Sequence, residues 1–233
     1  MRAEGIQGEA TFFDVNARAS HRPHGFTLIE VGVVLAVIAL LLLVGIPMIR
    51  NSGRPARRIQ CINNLKNVGL AFRIFALDNT NRFPFELSST RGGTLELCGD
   101  PQAAWRQFAI LSNALSVPIL VQCPSDQERR QAMDWRQFTN NQHLSYFAGL
   151  GALADYPDSI LSGDRNLTLD GRSLREESVT FSTNATAGFD QRIHRFAGNI
   201  ALGDGSVQQA TSGQLSEMFH AAAQTGTNTV MIP

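Results

Sequence analysis

The sequence predicts an α+β protein with an apolar N-terminal helix, an amphipathic helix laid on a soluble domain, and a small α+β domain rich in turns. Three observations predict it: an apolar run near the N-terminus, a stripe of apolar residues at helical spacing after it, and short apolar runs between turn signals in the rest of the chain. The predicted segments are a leader (1–25), an apolar helix (26–49), its amphipathic continuation (50–78) and the α+β domain (79–233).

The apolar helix is predicted from Gly25–Pro47, GFTLIEVGVVLAVIALLLLVGIP. From Phe26 to Ile46 its only ionisable residue is Glu30. A bilayer core of ~30 Å needs about 20 apolar residues at ~1.5 Å each, so this run is long enough to span. A carboxylate inside such a run is costly, so Glu30 is a candidate functional residue.

The next segment, 50–78, opens on Ser52-Gly53-Arg54-Pro55, a break signal, and a second helix is predicted to start near Pro55. An apolar stripe at steps of three or four residues follows: Ile59, Ile62, Leu65, Val68, Phe72 and Phe75. The opposite face is polar, with Arg57, Asn64, Asn67 and Arg73. This pattern predicts an amphipathic helix that lies on a soluble domain.

The remaining chain predicts short elements. A strand signal follows a glycine loop at 91–97, and 155–166 is expected to be a loop. Helices are predicted at 102–115 and 213–224, and strands or extended segments at 117–123, 143–150, 199–203, 206–210 and 227–232. Asp204-Gly205 between two of these strands predicts a hairpin turn.

Composition argues against some functions. The chain has 20 basic and 20 acidic residues and a net charge of zero, so nothing in its charge indicates a nucleic-acid partner. No GxSxG follows a predicted strand, and no catalytic residue is assigned. If the domain lies outside the cytoplasm, a Cys98–Cys123 disulfide is expected with Cys61 left over; the alternative is three buried free thiols.

The hexapeptide Gly25-Phe26-Thr27-Leu28-Ile29-Glu30 resembles the processing site of type IV pilins and type II secretion pseudopilins. The resemblance implies that a prepilin peptidase cuts after Gly25, that Phe26 is then N-methylated, and that Glu30 serves in assembly. It also implies a cytoplasmic leader and a domain outside. The arginines that follow the run would, by the positive-inside rule, indicate the reverse orientation.

Later motifs are similar to those of one bacterial pseudopilin-like subfamily. They include RIQCINNLKNVGLAF at 58–72, Cys123-Pro124-Ser125-Asp126, and His194 with Asp204-Gly205, which matches an H-x9-DG motif. The family's fold implies a long N-terminal helix packed on an antiparallel β-sheet. His194 and Asp204 are interpreted as a strand residue and a turn residue, with a catalytic or ligand pair as the alternative.

The resemblance implies a structural subunit, not an enzyme, of a type II secretion pseudopilus or type IV pilus-like assembly. Its partners are a prepilin peptidase, other pilin or pseudopilin subunits and the inner membrane, which it crosses once with a periplasmic C-terminal domain. The alternative is a membrane-anchored extracytoplasmic binding or metal-dependent domain. No cofactor is expected, although some pseudopilins bind calcium and loop-rich sequence holds four acids: Asp155, Asp158, Asp164 and Asp170.

Overall fold

The computed structural model describes residues 25–51 and 53–233, with side chains for all of these except 45–51, 53 and 54. Most of the predicted leader, Met1–Gly25, and Ser52 therefore lie outside the described residues. The chain forms two compact units whose boundary falls between Ile49 and Arg50. The predicted continuity of the two N-terminal helices stays a prediction.

Helix α1 runs from Leu28 to Asn51 over 24 residues and overlaps the apolar helix predicted at 26–49. Within the described residues, no helix combines the length and the apolar character needed to cross a membrane. The membrane span at 26–49 stays a prediction.

Helix α2 runs from Gly53 to Asp78, as its apolar stripe predicts. Leu65, Val68 and Phe72 of that stripe are fully buried, whereas Ile59 is 59% exposed. Asn64, predicted on the solvent face, is buried instead and donates to the carbonyl of Gln122 at 3.0 Å. The buried face of α2 therefore includes Asn64 as well as much of the apolar stripe, because the Asn64 amide has a hydrogen-bond partner there.

The domain contains a six-stranded antiparallel sheet formed by β1 (Tyr146–Gly149), β2 (Ile160–Asp164), β5 (Glu177–Thr180), β7 (Ala197–Leu202), β8 (Val207–Thr211) and β9 (Thr229–Ile232). The strand order is β5-β9-β1-β2-β7-β8. A three-stranded antiparallel sheet is formed by β3 (Leu167–Leu169), β4 (Arg172–Ser173) and β6 (Ala187–Phe189), in the order β4-β3-β6. The predicted α+β class with antiparallel sheets is confirmed.

Both faces of the six-stranded sheet are covered. Tyr146, Leu161 and Met231 point into a core shared with α2, whereas their neighbours in sequence point into a second core. That alternation follows from the two-residue period of a strand. The second core is closed by Phe219 of helix α4, which runs from Ser212 to Thr225.

Several predicted elements differ from the structure. The predicted helix at 102–115 contains only one α-helical turn, α3 (Arg106–Ala109), and the strands expected at 91–97 and 117–123 are 3₁₀ turns. Pro118, which lacks an N–H for a ladder, starts the second of these turns. The loop expected at 155–166 contains β2, a central strand. Further 3₁₀ turns span Pro84–Glu86, Ser89–Arg91, Pro101–Ala103, Ile110–Asn113 and Asn141–His143.

Candidate functional site

The predicted cleavage junction lies in irregular chain immediately before α1. Gly25, Phe26 and Thr27 have no regular secondary structure, and Phe26 is 86% exposed. Thr27 and Glu30 cap the helix reciprocally: the Glu30 Oε2 atom accepts from the Thr27 N–H at 2.8 Å and from its hydroxyl at 2.9 Å. The Glu30 N–H donates to the Thr27 hydroxyl at 3.3 Å. This is a capping box, which satisfies donors that a helix start leaves open.

The side chains of α1 are exposed on all sides of the helix where they are described. Leu28 is 93% exposed and Leu43 75% exposed, and the residues between them are exposed as well. A helix that is apolar all round is stable only when lipid or protein covers it.

His194 lies in the turn before β7, not in a strand as interpreted from sequence. Its Nε2 atom lies 3.5 Å from the Cys123 sulfur and 3.5 Å from Oδ2 of Asp164. Asp164 ends β2 and is fully buried, and its Oδ2 accepts from the Asn199 backbone N–H at 2.7 Å and the Asn199 side-chain amide at 2.9 Å. The other oxygen, Oδ1, is buried and has no hydrogen-bond partner within the described residues.

The two buried titratable groups shift in opposite directions. Burial raises the pKa of Asp164 to about 7, although the hydrogen bonds from Asn199 act to lower it. Burial and the positive charge of Arg58 lower the pKa of His194 to about 4, with the carboxylate of Asp126 opposing. His194 is therefore neutral at pH 7, and its contact with Asp164 is not an ion pair between two full charges.

Next to this pair, Arg165 is buried with 1% exposure. Its guanidinium donates to both oxygens of Asp126, at 2.7 and 2.9 Å, and to Glu128 at 2.8 Å. Burial alone would lower the pKa of Arg165, but the hydrogen bonds and charges of Asp126 and Glu128 raise it overall. The ion pair between Arg165 and Asp126 joins the end of β2 to the loop that follows Cys123.

The predicted disulfide is wrong. Cys61 and Cys123 form the disulfide, with their Cα atoms 4.9 Å apart, and Cys98 is a half-buried free thiol. Cys61 lies on the buried face of α2, which brings it to the Cys123 loop; sequence spacing alone does not show this.

Among the described residues, the one grouping of three metal-ligand side chains is Cys61, Cys123 and His194, whose ligand atoms lie within 4.8 Å of one another. The two sulfurs are bonded to each other, so neither is a thiolate that could hold a metal.

The four acids considered for calcium have other partners where the structure gives any. The Asp155 carboxylate accepts from the Asn81 amide, and that of Asp170 from the Thr186 N–H at 2.8 Å. Asp164 is bound to Asn199, as described above. Calcium binding stays a prediction.

The two halves of the H-x9-DG motif lie in different parts of the domain. Asp204 and Gly205 form the turn between β7 and β8, as predicted: Gly205 has φ +86° and the Asp204 Oδ1 accepts from the Ser206 N–H at 2.8 Å. Gly69 of α2 approaches this turn so closely that an added Cβ would lie 3.2 Å from the Gly205 carbonyl oxygen. The turn therefore supports α2, whereas His194 belongs to the buried Asp164 cluster.

Sequence reasoning missed three residues of that cluster: Asp126, Arg165 and Asn199. Each is polar and nearly or fully buried, and each comes from a different segment of the chain. The signal that was present is the position of Asp126 within a motif singled out by resemblance, Cys123-Pro124-Ser125-Asp126.

Comparison with known proteins bears on the N-terminal segment. Residues 20–46 match the family model described as the prokaryotic N-terminal methylation motif. No curated protein and no solved structure gives a significant match. The matched segment contains Gly25, Phe26 and Glu30, and it confirms the resemblance of the N-terminus to a type IV pilin-like or pseudopilin prepilin signal.

Proposed function

We propose that the chain is a structural subunit of a type II secretion pseudopilus or type IV pilus-like assembly. It is cut after Gly25 by a prepilin peptidase, methylated on Phe26, and held in the inner membrane by a single span with the domain in the periplasm. The observation that carries the proposal is the methylation-motif match at residues 20–46. The helix that follows supports it: its described side chains, residues 28–44, are nearly all apolar and all exposed, and such a helix needs lipid or neighbouring helices to cover it.

Gly25 supports the cleavage site because its own fold does not require a glycine. Among the described residues, a Cβ added at Gly25 would meet nothing within 4 Å. A residue without a side chain lets a protease approach the backbone closely.

Glu30 has two tasks in this proposal. Both helix-capping bonds that it accepts go to Oε2. Its Oε1 makes no hydrogen bond within the described residues, so this oxygen is available to a partner. Cleavage would give Phe26 a free α-amino group, largely protonated near neutral pH. In a bundle, Oε1 would accept from the Phe26 ammonium of a neighbouring subunit, and that contact forms only at one axial register.

The Cys61–Cys123 disulfide fits a periplasmic domain, because disulfides persist in oxidising compartments. A role in assembly, without catalysis, goes with the pilin-like signal, and the peptidase and other subunits are the partners.

The test is N-terminal mass spectrometry of membrane-extracted protein, comparing wild type with Gly25→Val. We expect wild type to begin at N-methylated Phe26 and Gly25→Val to remain a full-length precursor. Gly32→Val is the matched control, because Gly32 also has nothing within 4 Å but lies inside α1. Normal maturation of Gly25→Val would contradict the cleavage site.

A further inference from the structure

A cavity of about 600 Å³ opens beside the Asp164 cluster, at the surface of the domain. Its walls come from the first turns of α2, the loop after Cys123 and the turn before β7. Four arginines line it, Arg57, Arg58, Arg192 and Arg195, together with Ser125, Gln127, Gln191 and His194. Among the described residues that line it, none is acidic.

This concentration of positive charge is local, because the whole chain has a net charge of zero. Within the described residues, only Arg192 of the four arginines makes an ion pair, with Asp190 at 2.6 Å. The charge of Arg58 acts on the two buried groups beside the cavity: it lowers the pKa of His194, and it opposes the rise in the pKa of Asp164 that burial causes. Most of the guanidinium charge at the cavity is therefore not neutralised by the described chain.

The guanidinium groups also have hydrogen-bonding capacity left. The Nε atom of Arg58 and the Nη1 atom of Arg192 are buried without a partner among the described residues. A donor buried without a partner costs about 1–3 kcal/mol. These two nitrogens have almost no exposed surface, so a ligand in the cavity would accept from the other N–H groups of the arginines. Planar guanidinium groups match carboxylate and phosphate oxygens in pairs.

The backbone at the cavity is also constrained. Arg195 and Phe196 have φ values of +54° and +63°, consecutive left-handed conformations in residues other than glycine. Such conformations are rarely adopted without a compensating gain, and they cluster at binding and active sites. Here they place Arg195 in the wall of the cavity.

We propose that this arginine cavity binds a small acidic molecule through its carboxylate, phosphate or sulfate groups. A cavity of about 600 Å³ lies within the range of small-molecule sites, which is roughly 300–1,000 Å³, and is larger than a single inorganic ion needs. Ser125, Gln127 and Gln191 add neutral hydrogen-bonding groups at the wall. The cavity is lined by none of the three residues proposed for processing and assembly, Gly25, Phe26 and Glu30.

Isothermal titration of the full-length protein in a nonionic detergent tests the site, with inorganic phosphate, sulfate and citrate as probes at constant ionic strength. We expect saturable binding of at least one probe. Citrate binding tighter than phosphate and sulfate would identify a polycarboxylate site, and the reverse order a site for phosphate or sulfate groups.

Two variants locate the binding. Arg57→Gln and Arg195→Gln each remove one exposed guanidinium from the wall and should weaken binding by about tenfold or more, the effect of one charge-assisted hydrogen bond. Arg136→Gln removes an exposed arginine elsewhere and should leave binding unchanged. Absence of saturable binding with all three probes, or equal binding by Arg57→Gln, Arg195→Gln and Arg136→Gln, would overturn the proposal.

Discussion

The N-terminal segment and the Asp164 cluster differ in how their key residues relate to the fold. Gly25, Phe26 and Glu30 are exposed and lie within six consecutive residues, and the hydrogen bonds of Glu30 among the described residues stay within its own helix start. Asp126, Asp164, Arg165 and His194 are buried and meet from three separate loops and strands. The first group can be recognised in the sequence as a short motif. The second group comes together only when the chain folds, so the sequence does not show that its residues are neighbours.

The largest expected effect tests the structural role of the buried cluster. Arg165→Met would leave the Asp126 carboxylate buried without its partner, and we expect a loss of about 3–5 kcal/mol in the free energy of unfolding. The matched control is Arg172→Met, whose ion pair with Glu177 is exposed and should contribute about 0–1 kcal/mol. Chemical denaturation of both variants measures the difference. Equal losses would show that the buried pair is not a structural centre.

The next prediction concerns the pH dependence of the Asp164–His194 pair. His194 has a folded pKa of about 4, below its ordinary 6.5, so its contribution to stability falls as pH drops through that window. Asp164 has a folded pKa of about 7, above its ordinary 3.8, so its contribution rises as pH drops over nearly the same window. The two effects oppose each other, and in the wild type they nearly cancel.

Replacing either residue should reveal the pH dependence of stability that the other residue contributes. Relative to wild type, Asp164→Asn should lose stability towards acid, and His194→Gln should gain it, each with a slope of at most about 1.4 kcal/mol per pH unit. Denaturation of the full-length protein at several pH values between about 4.5 and 6.5 measures these slopes. Slopes of the same sign in both variants would contradict the opposed shifts.

A smaller loss is expected at the hairpin turn. Gly205→Val would place a β-branched residue at φ +86° and bring its Cβ within 3.3 Å of Arg73 Cγ. We expect a cost of about 1–3 kcal/mol and a lower melting temperature. Gly213→Val, at a glycine with nothing within 4 Å and no left-handed φ, controls for the added side chain. An unchanged melting temperature of Gly205→Val, with a binding activity lost, would make the turn a functional site.

The smallest expected effect on stability is at Glu30. Glu30→Gln keeps the capping geometry, because glutamine also serves in a capping box, but removes the charge. We expect unchanged processing and stability but sharply reduced crosslinking between subunits. Thr27→Val removes the capping hydroxyl and keeps the charge, so it should assemble normally. If Glu30→Gln subunits crosslink as well as wild type, the contact with a neighbouring amine does not exist.

What the sequence could predict depended on local signals. Asp204-Gly205 predicted its hairpin because the turn chemistry lies in two adjacent residues, and the stripe from Leu65 to Phe72 predicted the buried face of α2. The central strand β2 was missed because Ser162, Gly163 and Asp164 look like a loop. In the structure Ser162 donates to the Phe147 carbonyl at 2.7 Å, and a Cβ at Gly163 would lie 2.7 Å from Ile200.

The site was less predictable than the fold. The partner of Cys123 depends on which face of α2 reaches its loop, and the neighbours of His194 depend on the order of strands in the sheet. Neither is encoded in spacing along the chain. The processing junction, by contrast, needs no tertiary structure to be recognised.

The Cys61–Cys123 bond also determines how the domain would carry mechanical load. In the proposed filament, a subunit would be pulled through its N-terminal segment, and tension would reach the domain through the part of α2 that precedes Cys61. The bond closes a loop with a sequence separation of 62, a length that could otherwise extend by roughly 200 Å. Because the bridge bypasses that loop, force reaching Cys61 passes directly to the Cys123 loop and, through Arg165, to the end of a central strand. The oxidised domain would therefore resist stretching as a short, stiff link.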